Sequence, residues 1–320
     1  MQRVDAVVIG RNEGARLVAC LASLQGRVRR IVYVDSGSSD GSPEAAEAAG
    51  ATVVPLDLSR PFTAARARNA GLAVLEADPQ AAALVQLVDG DCMVDPGWLP
   101  AATAFMQAHP QAVVVAGRRR ERFPQASVWN RLCDREWNTP IGPALACGGD
   151  ALMRRAALMK VAGYRESLIA GEEPELCLRL IRAGGEVWRI DAEMTLHDAA
   201  LTRFSQWWRR SLRAGHAFAE GAALHGAAPE RHWVAEARRA LLWGVGVPAA
   251  ALGASALHPA GLLVMALWPL QMARLAQRWR GEGRGGAEAA VFTVIGKLPE
   301  ACGVLSYHLG RRKGRIIEYK

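Results

Sequence analysis

Short apolar runs alternate with helical stretches along the first ninety residues. Each run is rich in β-branched residues and ends in a polar or glycine-containing loop, which is typical of a parallel sheet built from βαβ units. The loops after the first, second and fourth runs are therefore expected at one edge, the carboxyl edge where open α/β sheets bind ligands. The pattern predicts strands at 4–9, 31–34, 51–54 and 84–88, and helices at 13–24, 43–49 and 63–76.

From residue 112 to about residue 195 the pattern is mixed. It predicts strands at 112–117 and 186–190 and helices at 155–161 and 174–183. This segment is expected to form the second half of the same domain. The predicted fold class is α/β, with a mostly parallel sheet flanked by helices and a helical tail that associates with a membrane. The predicted divisions are a catalytic domain at 1–203, basic and aromatic connecting helices at 204–235, and an apolar tail at 236–320.

The tail contains no Asp, Glu, Lys or Arg from residue 240 through residue 273. Pro248 and the pair His258-Pro259 divide this stretch into pieces too short to cross a hydrocarbon core of roughly 30 Å at about 1.5 Å per residue. A re-entrant or interfacial hairpin is therefore predicted, followed by an interfacial helix pair at 287–310. The alternative is a water-soluble helical hairpin packed on the catalytic domain. Arginines on both sides predict that both ends of the hairpin face the cytoplasm.

Charge and cysteine content narrow the partners and the compartment. The net charge is +8, with arginine clusters at 118–120, 209–213 and 311–315, which suits an anionic ligand or membrane face. The arginines are not accompanied by a zinc-finger or RNA-binding signature, so nucleic acid is not an expected partner. Six scattered cysteines indicate a reducing compartment. With no signal peptide evident, we expect a catalytic domain in the cytosol, on the cytoplasmic side of the inner membrane.

Two aspartates close the fourth apolar run. In Asp89-Gly90-Asp91 they offer hard oxygen ligands that suit Mg²⁺ or Mn²⁺, which would also bind a diphosphate. The same triplet also makes ordinary turns. The loop from Asp35 to Gly41 and the segment from Gly10 to Glu13 would bring further acids and Arg11 to this edge, although each alone is explained by a capped helix start.

Five segments occur in the order found in a known enzyme family. They lie between residues 4 and 198 and read VVIGRNEGARLVACLASL, VDSGSSDGS, ARARNAG, LVQLVDGDCMVDPGWL and GYRESLIAGEEPELCLRLIRAGGEVWRID. In these motifs the chain resembles glycosyltransferase family 2, whose members share the GT-A fold and use nucleotide sugars. The resemblance implies a UDP- or GDP-linked donor, a divalent Mg²⁺ or Mn²⁺ ion and a glycan or lipid-linked acceptor.

The resemblance also implies roles for residues around the donor. It assigns a metal site to Asp91, Asp89 and His197, the last of which resembles a histidine that completes this site in many members of the fold. Matching positions imply that the donor's nucleoside, ribose and phosphates contact Arg11, Glu13, Asp35, Ser36, Asp40, Arg68, Asn69, Asp89 and Gly90. Gln206 and Arg209 are similar to a family motif that neutralises the leaving diphosphate, and a basic membrane-surface helix is the alternative.

The motif Gly171-Glu172-Glu173-Pro174 occupies the position of the family's Glu-Asp pair, whose second acid is the general base of inverting members. Glu173 is therefore the candidate base and Glu172 the second choice, with helix capping as the alternative. Pro174 suits a first helical turn, and a helix N-terminus would favour an ionised Glu173. Asp150, in a segment that resembles the strand before the acceptor helix, is expected to touch the donor sugar or acceptor.

The predicted function is an inverting glycosyltransferase that moves a sugar from a nucleotide diphosphate to a hydroxyl or lipid-phosphate acceptor at the membrane, in cell-envelope or exopolysaccharide synthesis. One alternative is a sugar-nucleotide nucleotidyltransferase, which needs cations near the first loop, where only Arg11 and Arg16 are available. The other is a non-catalytic scaffold that binds sugar or membrane.

Overall fold

The computed structural model describes residues 3–313, and the last residues of the basic C-terminal cluster lie outside this range. The chain divides into two compact units. The first comprises Met1–Phe123 and Glu136–Ala199, and the second comprises Pro124–Arg135 and Ala200–Lys320. The predicted boundaries near residues 203 and 235 remain a prediction, because the division by contacts also assigns residues 124–135 to the second unit.

A single mixed sheet organises the first unit. Its order is β3-β2-β1-β4-β8-β6-β9-β5, with β7 paired to β9. The strands β1 to β4 are parallel, whereas β8 runs antiparallel to both β4 and β6, and β6 is parallel to β9. The strands are β1 (Val4–Gly10), β2 (Ile31–Asp35), β3 (Thr52–Pro55), β4 (Leu84–Asp89), β5 (Cys92–Val94), β6 (Ala112–Glu121), β7 (Gly142–Ala144), β8 (Ala151–Arg154) and β9 (Glu186–His197).

Helices cover both faces of this sheet, so the predicted α/β fold class is confirmed. Successive residues of β1 alternate between two apolar cores, with Val8 packed beside α1 and α4, and Val7 packed beside α3 and α7. The helices are α1 (Ala15–Leu24), α2 (Ser42–Ala48), α3 (Ala64–Glu76), α4 (Trp98–Ala108), α6 (Arg155–Lys160) and α7 (Glu172–Arg182), with α5 (Val128–Glu136) falling mainly in the second unit.

The carboxyl ends of β1, β2 and β4 meet at one edge, as predicted. Gly10 of β1 is level with Asp35 of β2, and Ile9 is level with Asp89 of β4. The strand predicted at 186–190 continues to His197. No turn therefore separates it from the histidine, and β9 itself carries His197 to the edge of the sheet, where it pairs with Cys92 of β5.

The second unit is helical. Its helices are α8 (Phe204–His225), α9 (Val234–Leu241), α10 (Val247–Leu257), α11 (Leu267–Arg278), α12 (Gly283–Ile295) and α13 (Lys297–Lys313), with a π turn at Leu242–Gly246 and 3-10 segments at Pro124–Ala126, Pro259–Ala266 and Arg280–Glu282. Close contacts join α8 and α13, where a Cβ on Gly215 would lie 1.9 Å from the carbonyl oxygen of Glu300.

The division of the apolar tail at Pro248 was predicted wrongly. A π turn precedes Pro248, and helical structure runs without interruption from Val234 to Leu257. Proline lacks an N–H and its ring collides with the preceding turn, and wider π turns occur where such local defects are absorbed. Three helical runs, Val234–Leu257, Pro259–Arg278 and Arg280–Gly310, are long and apolar enough to cross a membrane.

One buried polar pair links β4 to α4. Gln86 has no exposed surface, and its side-chain oxygen accepts a 2.7 Å hydrogen bond from the indole N–H of Trp98, which is also fully buried. Replacing Gln86 by leucine keeps a side chain of similar volume but leaves the indole N–H of Trp98 without an acceptor. We expect Gln86→Leu to lower the free energy of unfolding by about 1–3 kcal/mol in guanidinium denaturation. Gln80→Leu, at an exposed position, is the matched control, and equal midpoints for the two variants would contradict this account.

Candidate active site

Asp91 and His197 face each other at the carboxyl edge of the sheet. The Nε2 atom of His197 lies 3.0 Å from Oδ2 of Asp91. The antiparallel pairing of β5 with β9 creates this contact, because it aligns Cys92 with His197. Although burial opposes ionisation, the hydrogen bond and charge of His197 hold the pKa of Asp91 below its ordinary value. An oxygen and an imidazole nitrogen therefore converge on one point.

Asp89 is held by two arginines. Oδ1 accepts a 2.7 Å hydrogen bond from Arg68, and Oδ2 accepts a 3.3 Å hydrogen bond from Arg119. Burial and the nearby Asp150 carboxylate raise the pKa of Asp89, while Arg68 and Arg119 oppose that rise. Of the two aspartates predicted as metal ligands, Asp89 is thus engaged by guanidinium groups, and Asp91 is the one beside His197.

Asp150 is fully buried and fixes its neighbours. Its Oδ1 accepts the backbone N–H of Asp89 at 3.1 Å, and its Oδ2 accepts the hydroxyl of Thr195 at 2.7 Å. The preceding residue must be small, since a Cβ on Gly149 would lie 2.6 Å from an Asp89 carboxylate oxygen. The expected contact of Asp150 with a sugar or acceptor remains a prediction. In this structure its side chain bonds to other protein groups and has no exposed surface.

Arg68 connects this edge to the start of α7. Its guanidinium lies 2.9 Å from Glu172 and 2.8 Å from Glu173, in addition to its bond with Asp89. The side chain of Arg68 is only 3% exposed. The ring of Tyr164 lies below it, with the guanidinium carbon 5.6 Å from the ring centre. Arg68 was expected beside the donor phosphates, and the structure places it among three carboxylates.

Glu173 lies at the second position of α7, which begins at Glu172 after the left-handed Gly171. The helix N-terminus favours an ionised Glu173, as the sequence suggested, but burial opposes ionisation more strongly. Burial and the charge of Glu172 raise the pKa of Glu173 to about 8, and the favourable charge of Arg68 offsets this only in part. The desolvation of a buried carboxylate outweighs the helix dipole, so Glu173 is mostly protonated at pH 7 in this state.

Two loops form the predicted nucleoside side of the edge. Asp35 accepts the backbone N–H groups of Gly37 and Ser38, both at 2.9 Å, and the hydroxyl of Tyr33 at 3.0 Å. The side chain of Asn12 accepts the N–H of Ser39 at 2.8 Å, which ties the loop after β1 to the loop after β2. The two loops therefore form one continuous wall beside the aspartates.

The remaining predicted donor residues differ in exposure. Arg11 and Asp40 are exposed, and Asp40 accepts the N–H of Ser42. Ser36 is buried, and its hydroxyl has no hydrogen-bond partner within residues 3–313. Glu13 pairs with Arg16 at 2.6 Å, and burial together with the charge of Asp91 raises the pKa of Glu13. Exposed and unsatisfied polar groups are thus both present at the proposed donor wall.

Asn69, Gln206 and Arg209 are engaged elsewhere. The amide of Asn69 donates to the carbonyl of Tyr164 and accepts its N–H, both at 2.8 Å, and so fixes the Tyr164 loop on α3. Gln206 and Arg209 lie in α8 of the second unit, where Gln206 accepts the N–H of Arg203 at the start of the helix. Their predicted contacts with the donor remain predictions.

Sequence analysis missed Arg119 and Trp137. Arg119 lies 3.5 Å from Asp150 as well as near Asp89, and its guanidinium carbon is 4.9 Å from the centre of the Trp137 ring. Trp137 also packs against His197, with ring centroids 4.6 Å apart. Arg119 was treated only as one member of a basic cluster. No signal in the sequence singled it out, because Arg119 lies beyond the predicted strand 112–117, in the part of β6 that extends to Glu121.

Among the described residues, two groups of side chains at this edge could each hold a metal ion, because the ligand atoms within each group lie within 4.8 Å of one another. One comprises Asp91, Cys92 and His197, and the other comprises Asp89, Cys92 and Asp150. Burial raises the pKa of the Cys92 thiol well above its usual value, so a neutral sulfur remains there. Mg²⁺ and Mn²⁺ prefer hard oxygen ligands to a thiol, so the carboxylate of Asp91 is suited to hold such an ion, with the imidazole of His197 as the nitrogen donor beside it.

Comparison with known proteins identifies similar sequences. Residues 5–161 match the family model for glycosyl transferase family 2. Pre-mycofactocin glycosyltransferase of Mycobacterium tuberculosis is 27% identical over 237 residues, which are 69% of this chain and 48% of that protein. A TPR repeat-containing protein of Synechococcus elongatus is 35% identical over 86 residues, 25% of this chain and 21% of that protein. The chain spans about half or less of the length of these curated relatives.

Solved structures share the fold. A mannosyltransferase of Pyrobaculum calidifontis, in complex with GDP-Man and Mn²⁺, gives a TM-score of 0.62 at 19% identity and covers 93% of this chain and 87% of its own. Glucosyl-3-phosphoglycerate synthase of Mycobacterium tuberculosis, in complex with phosphoglyceric acid, gives a TM-score of 0.52 at 19% identity. This match covers 72% of the present chain and 82% of the synthase chain. With its α/β sheet and the match over residues 5–161, this part of the chain is that of a glycosyl transferase family 2 domain.

Proposed function

We propose that this chain transfers a sugar from a nucleotide diphosphate donor, UDP- or GDP-linked, to a hydroxyl or lipid-phosphate acceptor with inversion at the anomeric carbon. The observation that carries the proposal is the buried Arg68. It joins Asp89 at the donor edge to Glu173 at the start of α7 within hydrogen-bond distance. A donor site and a candidate base are thereby held in one cluster, as a direct displacement requires.

A divalent cation fits this site through Asp91 and His197. The Nδ1 atom of His197 is buried without a hydrogen-bond partner within residues 3–313. The hydrogen bond between Nε2 and Asp91 is therefore the one that orients the imidazole. A Mg²⁺ or Mn²⁺ ion held there would supply Lewis-acid stabilisation of the diphosphate. The Pyrobaculum calidifontis mannosyltransferase of the same fold was solved with Mn²⁺ and GDP-Man, which supports this choice of cofactor.

Glu173 is suited to accept the proton of an acceptor hydroxyl. A general base is most effective when its pKa is close to the working pH, and burial raises the pKa of Glu173 to about 8. In its ionised form the carboxylate would take the acceptor's proton as that oxygen attacks the anomeric carbon. Arg68 would then stabilise the charge that remains on Asp89 and Glu172. Glu172 stays the second candidate for the same role.

Arg119 is suited to stabilise the departing diphosphate. Its guanidinium is 12% exposed, lies against Asp89 and Asp150, and is covered by the ring of Trp137. A fixed cation in a partly dry site stabilises developing negative charge more than it would in water. Arg119 thereby takes the role that sequence analysis gave to Arg209.

Two experiments separate the alternative functions. A nucleotidyltransferase releases pyrophosphate and a glycosyltransferase releases a nucleoside diphosphate, so product analysis with a panel of nucleotide sugars distinguishes them. Near the first loop Arg16 is already paired with Glu13, which leaves few cations for a triphosphate. Metal-dependent binding of UDP or GDP in calorimetry would argue against a non-catalytic scaffold.

We place the acceptor at a membrane, on the cytoplasmic side, because of the apolar helices at 234–310. Cell-envelope or exopolysaccharide synthesis is the setting that this location suits.

Asp91→Ala is expected to abolish turnover of a confirmed donor and acceptor pair, because it removes the carboxylate paired with His197. The variant should retain its circular dichroism spectrum and lose Mn²⁺-dependent nucleotide binding in calorimetry. Asp191→Ala, an exposed acid on β9, is the control and should behave like the wild type. Turnover retained by Asp91→Ala would defeat this assignment.

Glu173→Gln is expected to lower kcat by about 10²- to 10⁴-fold while leaving donor binding near the wild-type level, since it removes the proton acceptor alone. The wild-type kcat/KM should rise with pH up to about 8 and then level off, because the carboxylate is protonated and inactive below its raised pKa of about 8. Glu172→Gln is the matched control. If Glu172→Gln caused the larger loss of kcat, the base would be Glu172.

Arg119→Gln is expected to lower kcat/KM by about 10²- to 10³-fold, because it removes a fixed cation from the leaving diphosphate. Arg120→Gln, on the same strand but 48% exposed and paired with Glu193, should stay close to the wild type. Arg119→Lys keeps the charge and should recover part of the activity. Steady-state kinetics and thermal melting of all three variants test this role, which equal losses in Arg119→Gln and Arg120→Gln would exclude.

A further inference from the structure

The first two apolar runs of the second unit expose most of their side chains. Within the apolar 18-residue stretch of the runs Val234–Leu257 and Pro259–Arg278, only 22% and 6% of residues are buried. The exposed side chains include large leucines, among them Leu252 at 66%, Leu257 at 90% and Leu263 at 73%. Exposed apolar area of this extent is costly in water, and it marks a surface that another apolar phase covers.

The two arms are longer than the sequence suggested. At about 1.5 Å per residue, the uncharged residues 240–257 extend about 27 Å in one continuous helix. In the second arm the residues Pro259–Ala266 form a 3-10 helix, whose rise is about 2.0 Å per residue, so that residues 259–273 extend about 26 Å. Each uncharged arm thus nearly matches a hydrocarbon core of roughly 30 Å.

The third run is different, although its composition also permits a span. In Arg280–Gly310, 44% of the apolar window is buried inside the protein. Its charges are paired within the second unit: Glu288 lies 2.8 Å from Arg131, Glu282 lies 2.5 Å from Arg135, and Lys297 lies 2.5 Å from Glu300. Moving these ion pairs into hydrocarbon would be costly, so this run is built to stay outside it.

We propose that Val234–Leu257 and Pro259–Arg278 form a helical hairpin that crosses a phospholipid bilayer twice, while Arg280–Gly310 remains at the surface from which the hairpin enters. Arg238 and Arg239 lie just before the uncharged residues 240–257 of the first arm, and Arg274, Arg278 and Arg280 follow the uncharged residues 259–273 of the second. This charge complements anionic headgroups and holds both ends on the cytoplasmic face. His258, in the turn between the arms, then reaches the opposite face. The inference rests on the membrane association proposed above and deepens it.

Thiol labelling in oriented membrane vesicles tests this topology. Cys302 in α13 is an exposed native thiol, and Ala256 is exposed beside the hairpin turn. In right-side-out vesicles a membrane-impermeant maleimide should label the thiol introduced by Ala256→Cys in a Cys302→Ser background and leave Cys302 of the wild type unmodified. In inside-out vesicles the pattern should reverse.

Two labelling results would overturn the topology. A thiol at position 256 that reacts only in inside-out vesicles would show a hairpin lying in one leaflet. A Cys302 that reacts only after detergent is added would show the third run inside the lipid. Flotation of the full chain on a density gradient tests membrane association by itself. If the chain does not float, the proposed membrane association is wrong. If it floats but gives either of these two labelling results, only the proposed topology is wrong.

A charge placed halfway along the first arm provides an independent measurement. Ala250 is exposed about 15 Å from the start of the uncharged helix, so Ala250→Arg would place a cation near the middle of the core. We expect at least a tenfold larger fraction of this variant in the soluble phase after flotation. Ala223→Arg, an identical change at an exposed position of α8, is the matched control and should float like the wild type. Equal partitioning of both variants would show that the arm does not enter the core.

Discussion

A single buried cation holds the candidate active site together. The guanidinium of Arg68 is 3% exposed and satisfies Asp89 from the sheet together with Glu172 and Glu173 from α7. Removing one partner from a buried ionic group leaves an uncompensated charge, which is strongly destabilising. The end of β4, the start of α7 and the loop around Gly149 must therefore be formed together. Burial, together with the neighbouring charge of Glu172, still raises the pKa of Glu173, because the favourable charge of Arg68 offsets these effects only in part.

Sequence patterns located the edge of the site because it depends on local signals. Apolar runs identify the strands, and in parallel strands the residues that follow them meet at one edge, as Asp35 and Asp89 do. Hydrophobic periodicity could not predict the contact between Asp91 and His197, because this contact depends on the three-residue strand β5 pairing with the far end of β9. Only the resemblance to a family indicated His197. Arg119 was missed because β6 changes register on both sides of Arg118, so strict alternation does not tell which arginine faces inward.

Two expectations from the sequence differ from the structure, each for its own physical reason. Helix-dipole reasoning favoured an ionised Glu173, but desolvation is the larger effect for a carboxylate with so little access to water. Similarly, proline was expected to divide the apolar tail, but a π turn at Leu242–Gly246 lets the helix continue through Pro248. Both outcomes depend on tertiary or local geometry that residue preferences do not contain.

Gly149 limits how this site can change. A Cβ at this position would lie 2.6 Å from an Asp89 oxygen and 2.7 Å from the Arg68 guanidinium, so neither alanine nor serine fits without displacing the ionic cluster. The wall next to these charges is therefore bare backbone, and altered substrate preference cannot be obtained by substituting it. Exposed side chains of the same segment, such as Ile141 and Leu145, are free of this constraint, so sequence change is tolerated there and not at Gly149.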